Sequence, residues 1–163
     1  MKKAPIPADE EKRLEALKRL KILDTEPEQR FDELTALAIK RFRVPISTIS
    51  IIDKEREWFK SCQGTLAKEG AREVSFCGHA LLAREIFIVE NTLKDERFKD
   101  NPMVVGPPYI RFYAGIALYE RKSGQPVGVF CIKDTEPRTM SLDDIAFLMK
   151  LAEKAEAMLN NEA

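Results

Sequence analysis

Residues 46–53, ISTISIID, decide the fold class of this chain. The stretch is rich in β-branched residues and largely apolar, which is typical of a strand that is buried on both faces. The tetrapeptide DKER at 53–56 suits a tight turn, and EWFKSC at 57–62 then reads as the hairpin partner. The centre of the domain is therefore predicted to be an antiparallel sheet.

Other elements are predicted on both sides of this hairpin. Leucines at helical spacing predict a first helix over residues 9–21, and a capping box of Thr25 and Glu28 opens a second helix that runs to about Arg41. Ser75 is the predicted cap of a short helix, FCGHALLAR. Further strands are predicted at IFIVE (86–90), YIRFYAGIALYE (109–120) and VGVFCIKD (127–134), with a long loop at 91–108 before the second of these.

The last predicted helix runs from Leu142 to about Asn160, behind a capping box of Ser141 and Asp144. Helices at both ends of an antiparallel sheet predict an α+β fold. This helix carries more apolar surface than one sheet face needs, in two neighbouring stripes: Leu142, Ile145, Met149, Ala152 and Leu159, and Leu148, Leu151, Ala155 and Met158. Either the same helix of a second copy or the first helix of this chain would cover the second stripe.

Composition excludes several classes of function. Lysine plus arginine number 27 and aspartate plus glutamate also number 27, so no net field favours nucleic acid or anionic lipid. No apolar run approaches the roughly 20 residues that span a bilayer, and the N-terminus lacks the apolar core of a signal peptide. Three cysteines without framework spacing indicate reduced thiols, which predicts a cytoplasmic protein.

Short motifs in a fixed order resemble the GAF domain family, from about Glu11 to Leu159. The resemblance is strongest to the branch at the front of bacterial sensor kinases and diguanylate cyclases. The motifs are LEALKRLKILDTEPEQRFDELTALA (14–38), VPISTISIID (44–53), WFKSCQG (58–64), SFCGHALL (75–82), DERFKDNPMVVGPPYIRFYAGIAL (95–118) and GVFCIKDTEPR (128–138).

The resemblance implies a single domain over residues 1–163 with a six-stranded antiparallel sheet. Terminal helices would pack on one face and commonly form a homodimer, with residues 142–160 as the signalling helix and residues 1–8 as a flexible start. Loops and short helices would cover a small-molecule pocket on the other face. Members of the family bind cyclic nucleotides, bilins, haem, iron or small metabolites, so the resemblance implies a sensory role without naming the ligand.

The special chemistry of individual relatives does not carry over by motif. Bilin-binding relatives have a cysteine directly followed by histidine, whereas Gly78 separates Cys77 from His79 here. The Asn-Lys-Phe-Asp-Glu signature of cyclic-nucleotide-binding members is missing, and no haem or zinc motif is present. Free methionine sulfoxide reductases share the fold and use cysteines in the covering loops. Cys62 and Cys77 lie in the corresponding region, so a reductase that uses these two cysteines is one alternative function. A ligand-free dimerisation module is the other.

The segment around Cys77 and His79 has two interpretations. Phe76 and Cys77 would occupy the first turn of the short helix, where free backbone N–H groups favour a thiolate. Residues two apart on a helix point to nearly opposite sides, so His79 is not expected to act as the base for Cys77. Cys77 is otherwise a small buried hydrophobe, and His79 a structural residue or a pocket ligand.

A second candidate site lies in the segment YIRFYAG. If the strand begins at Tyr109, alternation places Tyr109, Arg111 and Tyr113 on one face. A guanidinium between two phenols would suit a small anion or an amphipathic metabolite. In the alternative, Arg111 only pins the loop by pairing with one of three acids: Asp53, Asp95 or Asp100.

We therefore interpret the chain as a small-molecule-binding sensory domain that relays its ligand state through the terminal helices. The candidate ligand contacts are Phe76, Cys77, His79, Tyr109, Arg111 and Tyr113. The output domain or partner protein would lie outside this chain, and the ligand itself is not identified by any motif.

Overall fold

Six strands form one antiparallel sheet in the computed structural model, which describes residues 1–162. Their order across the sheet is β3-β2-β1-β6-β5-β4, so β1 of the predicted hairpin lies at the centre, with β2 on one side of it and β6 on the other. The expected six-stranded α+β fold is confirmed. The strands are β1 (Ile46–Ile52), β2 (Arg56–Gln63), β3 (Glu69–Ala71), β4 (Phe87–Val89), β5 (Phe112–Glu120) and β6 (Gln125–Asp134).

Three helices cover one side of the sheet, which we call the helix face: α1 (Glu10–Leu20), α2 (Gln29–Phe42) and α5 (Leu142–Leu159). α1 packs mainly on β6, α2 on β1 and β2, and α5 on β5. The core between them contains Phe31, Phe112 and Phe130, none of which has exposed surface. Burial of such large apolar side chains is the main driving force for this packing.

The opposite side of the sheet, the loop face, is covered by short elements. These are α3 (Phe76–Ala80), α4 (Pro102–Val105) and two 3₁₀ turns, Arg72–Val74 and Thr92–Lys94. A second apolar cluster lies beneath them and includes Phe76, Phe98 and Tyr113. The N-terminal segment also lies against this cover, because Lys2 N–H donates to the Arg97 carbonyl and Ala4 N–H donates to the Glu73 carbonyl.

The two predicted capping boxes have different outcomes. Ser141 caps α5 as expected: its Oγ accepts from Asp144 N–H at 3.1 Å, and the Asp144 carboxylate accepts from Ser141 N–H at 3.0 Å. The box at Thr25 is wrong, because α2 begins at Gln29 and no side chain caps it. Thr25 Oγ1 instead donates to the Ile22 carbonyl at 2.6 Å, which closes the turn before the helix.

One face of α5 is buried and the other remains open. Leu148 and Leu151 pack into the core, whereas Leu142 is 85% exposed and Met149 is 55% exposed. The neighbour of α5 is α2, through a contact between the Phe42 and Phe147 rings with centroids 5.9 Å apart. The second stripe, which contains Leu148 and Leu151, faces the core, and the open side chains belong to the first stripe. Because the main helix contact of α5 is with α2, the alternative in which α1 alone covers the second stripe is wrong. Among residues 1–162, no helix is both long and apolar enough to cross a membrane.

A pair of leucine truncations on α5 tests this division of the helix. Leu148→Ala removes a fully buried side chain, and we expect it to lower the free energy of unfolding by roughly 2–5 kcal/mol. Leu142→Ala is the matched control and should change it by less than about 0.5 kcal/mol, because that side chain is exposed. Urea unfolding followed by circular dichroism measures both, and equal losses would contradict the packing described here.

Candidate ligand pocket

The predicted site around Tyr109 and Arg111 is not built on a strand. β5 begins only at Phe112, because Tyr109 has a positive φ of 58° and interrupts the extended backbone. The alternation that would place Tyr109, Arg111 and Tyr113 on one face is therefore wrong. Tyr109 is 50% exposed.

Arg111 pins the covering loop, as the alternative interpretation expected, but through backbone rather than acids. Its Nη1 donates to the Val104 carbonyl at 2.8 Å and to the Ile110 carbonyl at 3.2 Å. The three acids considered as partners bind other groups: Asp53 pairs with Arg56, Asp95 with Arg97, and Asp100 with the N-terminal ammonium. Arg111 thus fastens the end of α4 to the start of β5.

Tyr113 lies in a solid part of the loop face. It has no exposed surface, its ring centroid is 5.4 Å from that of Phe76, and its hydroxyl donates to Cys77 Sγ at 3.0 Å. The Tyr113 ring lies over Gly115, where an added Cβ would come within 2.9 Å of the ring. The cover is packed directly onto Tyr113, which leaves no room for a ligand at that point.

Cys77 and His79 do not form a dyad, which confirms the argument from helix geometry. The Ser75 hydroxyl caps α3 by accepting from Gly78 N–H at 2.9 Å, as predicted. Cys77 has no exposed surface, and burial raises its pKa well above the ordinary value. His79 Nε2 donates to the Lys2 carbonyl at 3.2 Å, and burial lowers the pKa of this histidine despite that bond.

The thiol of Cys77 belongs to a buried polar chain that the sequence did not indicate. Cys77 interacts with Cys131 on β6, whose Sγ lies 3.0 Å from Thr48 Oγ1 on β1. Thr48 Oγ1 in turn lies 2.7 Å from Ser50 Oγ. Burial opposes ionisation of Cys131, but its hydrogen bond with Cys77 and the positive charge of Lys133 lower its pKa to about 7.

An open pocket lies beside this chain on the loop face, with a volume of about 410 Å³. Its floor is formed by β1, β2 and β6, and its walls by residues 64–74 and 103–110. None of the six predicted contact residues lines it, so their assignment as ligand contacts stays a prediction. The lining residues are Ile46, Thr48, Glu57, Phe59, Gly64, Thr65, Ala67, Glu69, Gly70, Ala71, Val74, Met103, Pro107, Pro108, Ile110 and Lys133.

Two buried charges face this pocket. Glu57 is 3% exposed and Lys133 is 5% exposed, and within residues 1–162 neither side chain has an ion pair. Glu57 Oε2 is buried without a hydrogen-bond partner in that range. Burial alone would lower the pKa of Lys133, but the negative charge of Glu57 and the neighbouring thiols outweigh it and raise that pKa.

Strand alternation explains why both charges point to the loop face. Trp58 packs into the helix-face core, so Glu57 and Phe59 on either side of it point the other way. Likewise Ile132 belongs to the helix-face core and its neighbour Lys133 does not. The signal in the sequence was a charged residue at an inward position of each strand, but sequence reasoning did not pair them because they lie 76 positions apart.

Sequence comparison matches the GAF domain family to residues 26–159. A cyclic di-GMP phosphodiesterase of Pseudomonas aeruginosa is 37% identical over 96% of this chain, and the match covers 27% of that protein. The chain thus spans about a quarter of the length of this curated relative.

Solved structures show the same fold at low identity. The GAF domain of an Acinetobacter phosphoenolpyruvate-protein phosphotransferase has a TM-score of 0.64 and 18% identity, over 92% of this chain and 94% of that one. A type II free methionine-R-sulfoxide reductase from Thermoplasma acidophilum has a TM-score of 0.65 and 12% identity, over 90% and 96% respectively.

Thiol accessibility tests the placement of the three cysteines. Cys77 and Cys131 are fully buried, and only Cys62 has partial exposure, although burial raises its pKa to about 11. We expect iodoacetamide at neutral pH to modify Cys62 slowly and the other two only after unfolding. Peptide mass spectrometry of native and urea-unfolded protein gives the order, and rapid modification of Cys77 in the native protein would contradict it.

Proposed function

The chain belongs to the GAF domain family, whose members are commonly sensory, and on this premise we propose that it binds a small molecule in the loop-face pocket. The observation that carries the proposal is the pair of buried charges that face this pocket, neither of which has an ion pair within the described residues. Glu57 Oε2 has no hydrogen-bond partner there, and Lys133 Nζ lies 6.0 Å from the centre of the Phe76 ring. Leaving an ionised group desolvated without a partner is costly, and binding of a complementary ligand would remove that cost. The volume of about 410 Å³ also lies within the usual range of roughly 300–1,000 Å³ for ligand pockets.

β2 supplies a physical route from the pocket to the terminal helices. A β-bulge at Lys60 places Lys60 and Ser61 together on the helix face, next to pocket residues Glu57 and Phe59. Lys60 Nζ pairs with Glu28 at 2.7 Å, and Ser61 Oγ donates to Asp32 Oδ1 at 2.6 Å. A ligand that shifts β2 would therefore move the start of α2.

α2 would then pass the displacement to α5. Arg41 of α2 pairs with Asp144 in the first turn of α5 at 3.2 Å, and the Phe42 and Phe147 rings pack behind this ion pair. For any signal to pass, the ligand must bind two arrangements of these helices with different affinity. The output would come from another domain or a partner protein, since the P. aeruginosa relative is about four times longer than this match.

The geometry favours binding over catalysis by the cysteines. A reductase using Cys62 and Cys77 would need the two thiols to come together during the reaction. Cys62 Sγ instead lies 3.8 Å from the Thr65 carbonyl, while Cys77 accepts a hydrogen bond from Tyr113 and interacts with Cys131. The likeness to solved reductases concerns the fold alone.

We also propose that α5 forms the contact with a second copy. Leu142 and Met149 are exposed, and half-buried Ile145 lies between them on the same face of the helix. Exposed large apolar side chains grouped on one helix face are typical of an interaction surface. The open stripe lies next to the α2–α5 contact, so a dimer would be sensitive to displacement of α2.

A glycine on β3 allows the pocket to be filled without disturbing the backbone. Gly70 lies opposite Glu57 in register, and an added Cβ would meet no atom within 4 Å. We expect a compound from a library of metabolites to raise the melting temperature of the wild type and of Gly70→Ala, but not of Gly70→Leu. Native mass spectrometry of the purified protein checks for bound compounds. An equal shift in Gly70→Leu, or no ligand of any class, would refute the proposed function.

The dimer proposal predicts a change in association without loss of folding. The double variant Leu142→Glu with Met149→Glu places two charges on the open stripe and should convert a dimer into a monomer in sedimentation equilibrium. Lys68→Glu, at an exposed position between β2 and β3 near the opposite edge of the sheet, should leave the dimer intact. A wild type that is monomeric at high concentration would contradict the proposal.

A further inference from the structure

The two charges in the pocket also restrict which molecules can bind there. They enter from opposite ends of the floor, because Glu57 pairs with Ile52 at one end of β1 and Lys133 pairs with Ile46 at the other. Both residues line the same pocket, together with Thr48 of β1. The carboxylate and the ammonium therefore belong to one pocket and approach it from two sides.

These charges attract each other without making contact. The charge of Glu57 influences the ionisation of Lys133, yet no ion pair joins them within the described residues. At the same time, both side chains are at least nine-tenths buried. A ligand group of opposite charge in direct contact with either side chain would interact with it strongly, because the dielectric constant is low at a buried site.

A ligand with only one charge cannot supply both partners. A cation bound to Glu57 would be repelled by Lys133, and an anion bound to Lys133 would be repelled by Glu57. A molecule whose own ammonium and carboxylate lie close together can align against the pair in the opposite sense. Each charge of the protein then faces an opposite charge of the ligand.

The remaining walls define the body of such a ligand. They are predominantly apolar and include the Phe59 ring and the side chains of Ile46, Met103 and Ile110. A second carboxylate on the rim, Glu69, is 52% exposed and pairs with Arg56 at 3.1 Å, so it does not compete for the ligand in the same way. The pocket thus combines one buried carboxylate and one buried ammonium with walls that are mostly apolar.

We infer that the ligand is a small zwitterion with an apolar side chain, of the kind represented by aliphatic and aromatic α-amino acids. Glu57 would bind its ammonium group and Lys133 its carboxylate, while the apolar walls would enclose the side chain. This inference rests on the proposed function and assigns the chemical class of its ligand.

Matched compounds separate the contributions of the two charges. L-leucine, L-methionine and L-phenylalanine at millimolar concentration serve as zwitterionic probes. Two analogues of leucine each carry a single charge: isocaproate lacks the ammonium group, and isoamylamine lacks the carboxylate. Isothermal titration calorimetry should show that at least one zwitterion binds wild-type protein. For the leucine series, each singly charged analogue should bind about tenfold more weakly or worse.

Isosteric variants assign each charge to its partner. Glu57→Gln should weaken zwitterion binding by about tenfold or more and leave isocaproate binding unreduced. Lys133→Met should also weaken zwitterion binding by about tenfold or more and leave isoamylamine binding unreduced. Glu55→Gln and Lys68→Met are the matched controls at exposed positions outside the pocket lining and should bind like wild type. Far-ultraviolet circular dichroism confirms that each variant is folded.

The outcomes distinguish this inference from the proposed function. If no zwitterion binds, but another compound binds wild type and fails to bind Gly70→Leu, the inference is overturned and the pocket remains a ligand site. Equal binding of leucine and of either singly charged analogue overturns it as well. Absence of any ligand of any class overturns both.

Discussion

The structure depends on the complete burial of β1. All seven side chains from Ile46 to Ile52 are buried, with isoleucines on both sides of the strand. Its polar side chains must therefore find partners inside the protein, and Ser47 does so by donating to the Cys131 carbonyl at 2.9 Å. A strand of this kind requires cover on both faces. The helices supply one cover and the short loop elements the other, and this asymmetry determines where a pocket can form.

The fold could be predicted from the sequence because its signals are local. The apolar run of β1, the helical spacing of α2 and the Ser141 capping box each act within a few residues. The candidate site depended instead on contacts between distant segments. Tyr109 leaves the strand conformation, Arg111 is held by a carbonyl of α4, and neither event is written in the alternation of YIRFYAG. Local patterns also do not predict that Glu57 of β2 and Lys133 of β6 line one pocket, because β1 lies between these two strands.

The loop face combines a rigid part and an open part. Around Tyr113 the aromatic rings and the thiols of Cys77 and Cys131 fill the space completely. Towards β2 and β3 the cover separates from the sheet and leaves the pocket. Lys133 lies at the boundary, because it lines the pocket and its charge also lowers the pKa of Cys131. The packed part therefore holds β5 and β6 against the cover, while the part next to β2 contains the open pocket.

The bulge at Lys60 has a consequence for how this protein can diverge. Deleting any residue of β2 other than the bulge would exchange the two sides of the strand on one flank of the deletion. Deleting Lys60 itself would keep both flanks on their present faces but would remove the ammonium that pairs with Glu28. The length of β2 is thus under strict geometric control, whereas residues 64–68 lie exposed outside the strands, where an insertion would leave the strand register unchanged. Lengthening residues 64–68 would therefore change the rim of the pocket and leave Glu57 and Lys133 in register.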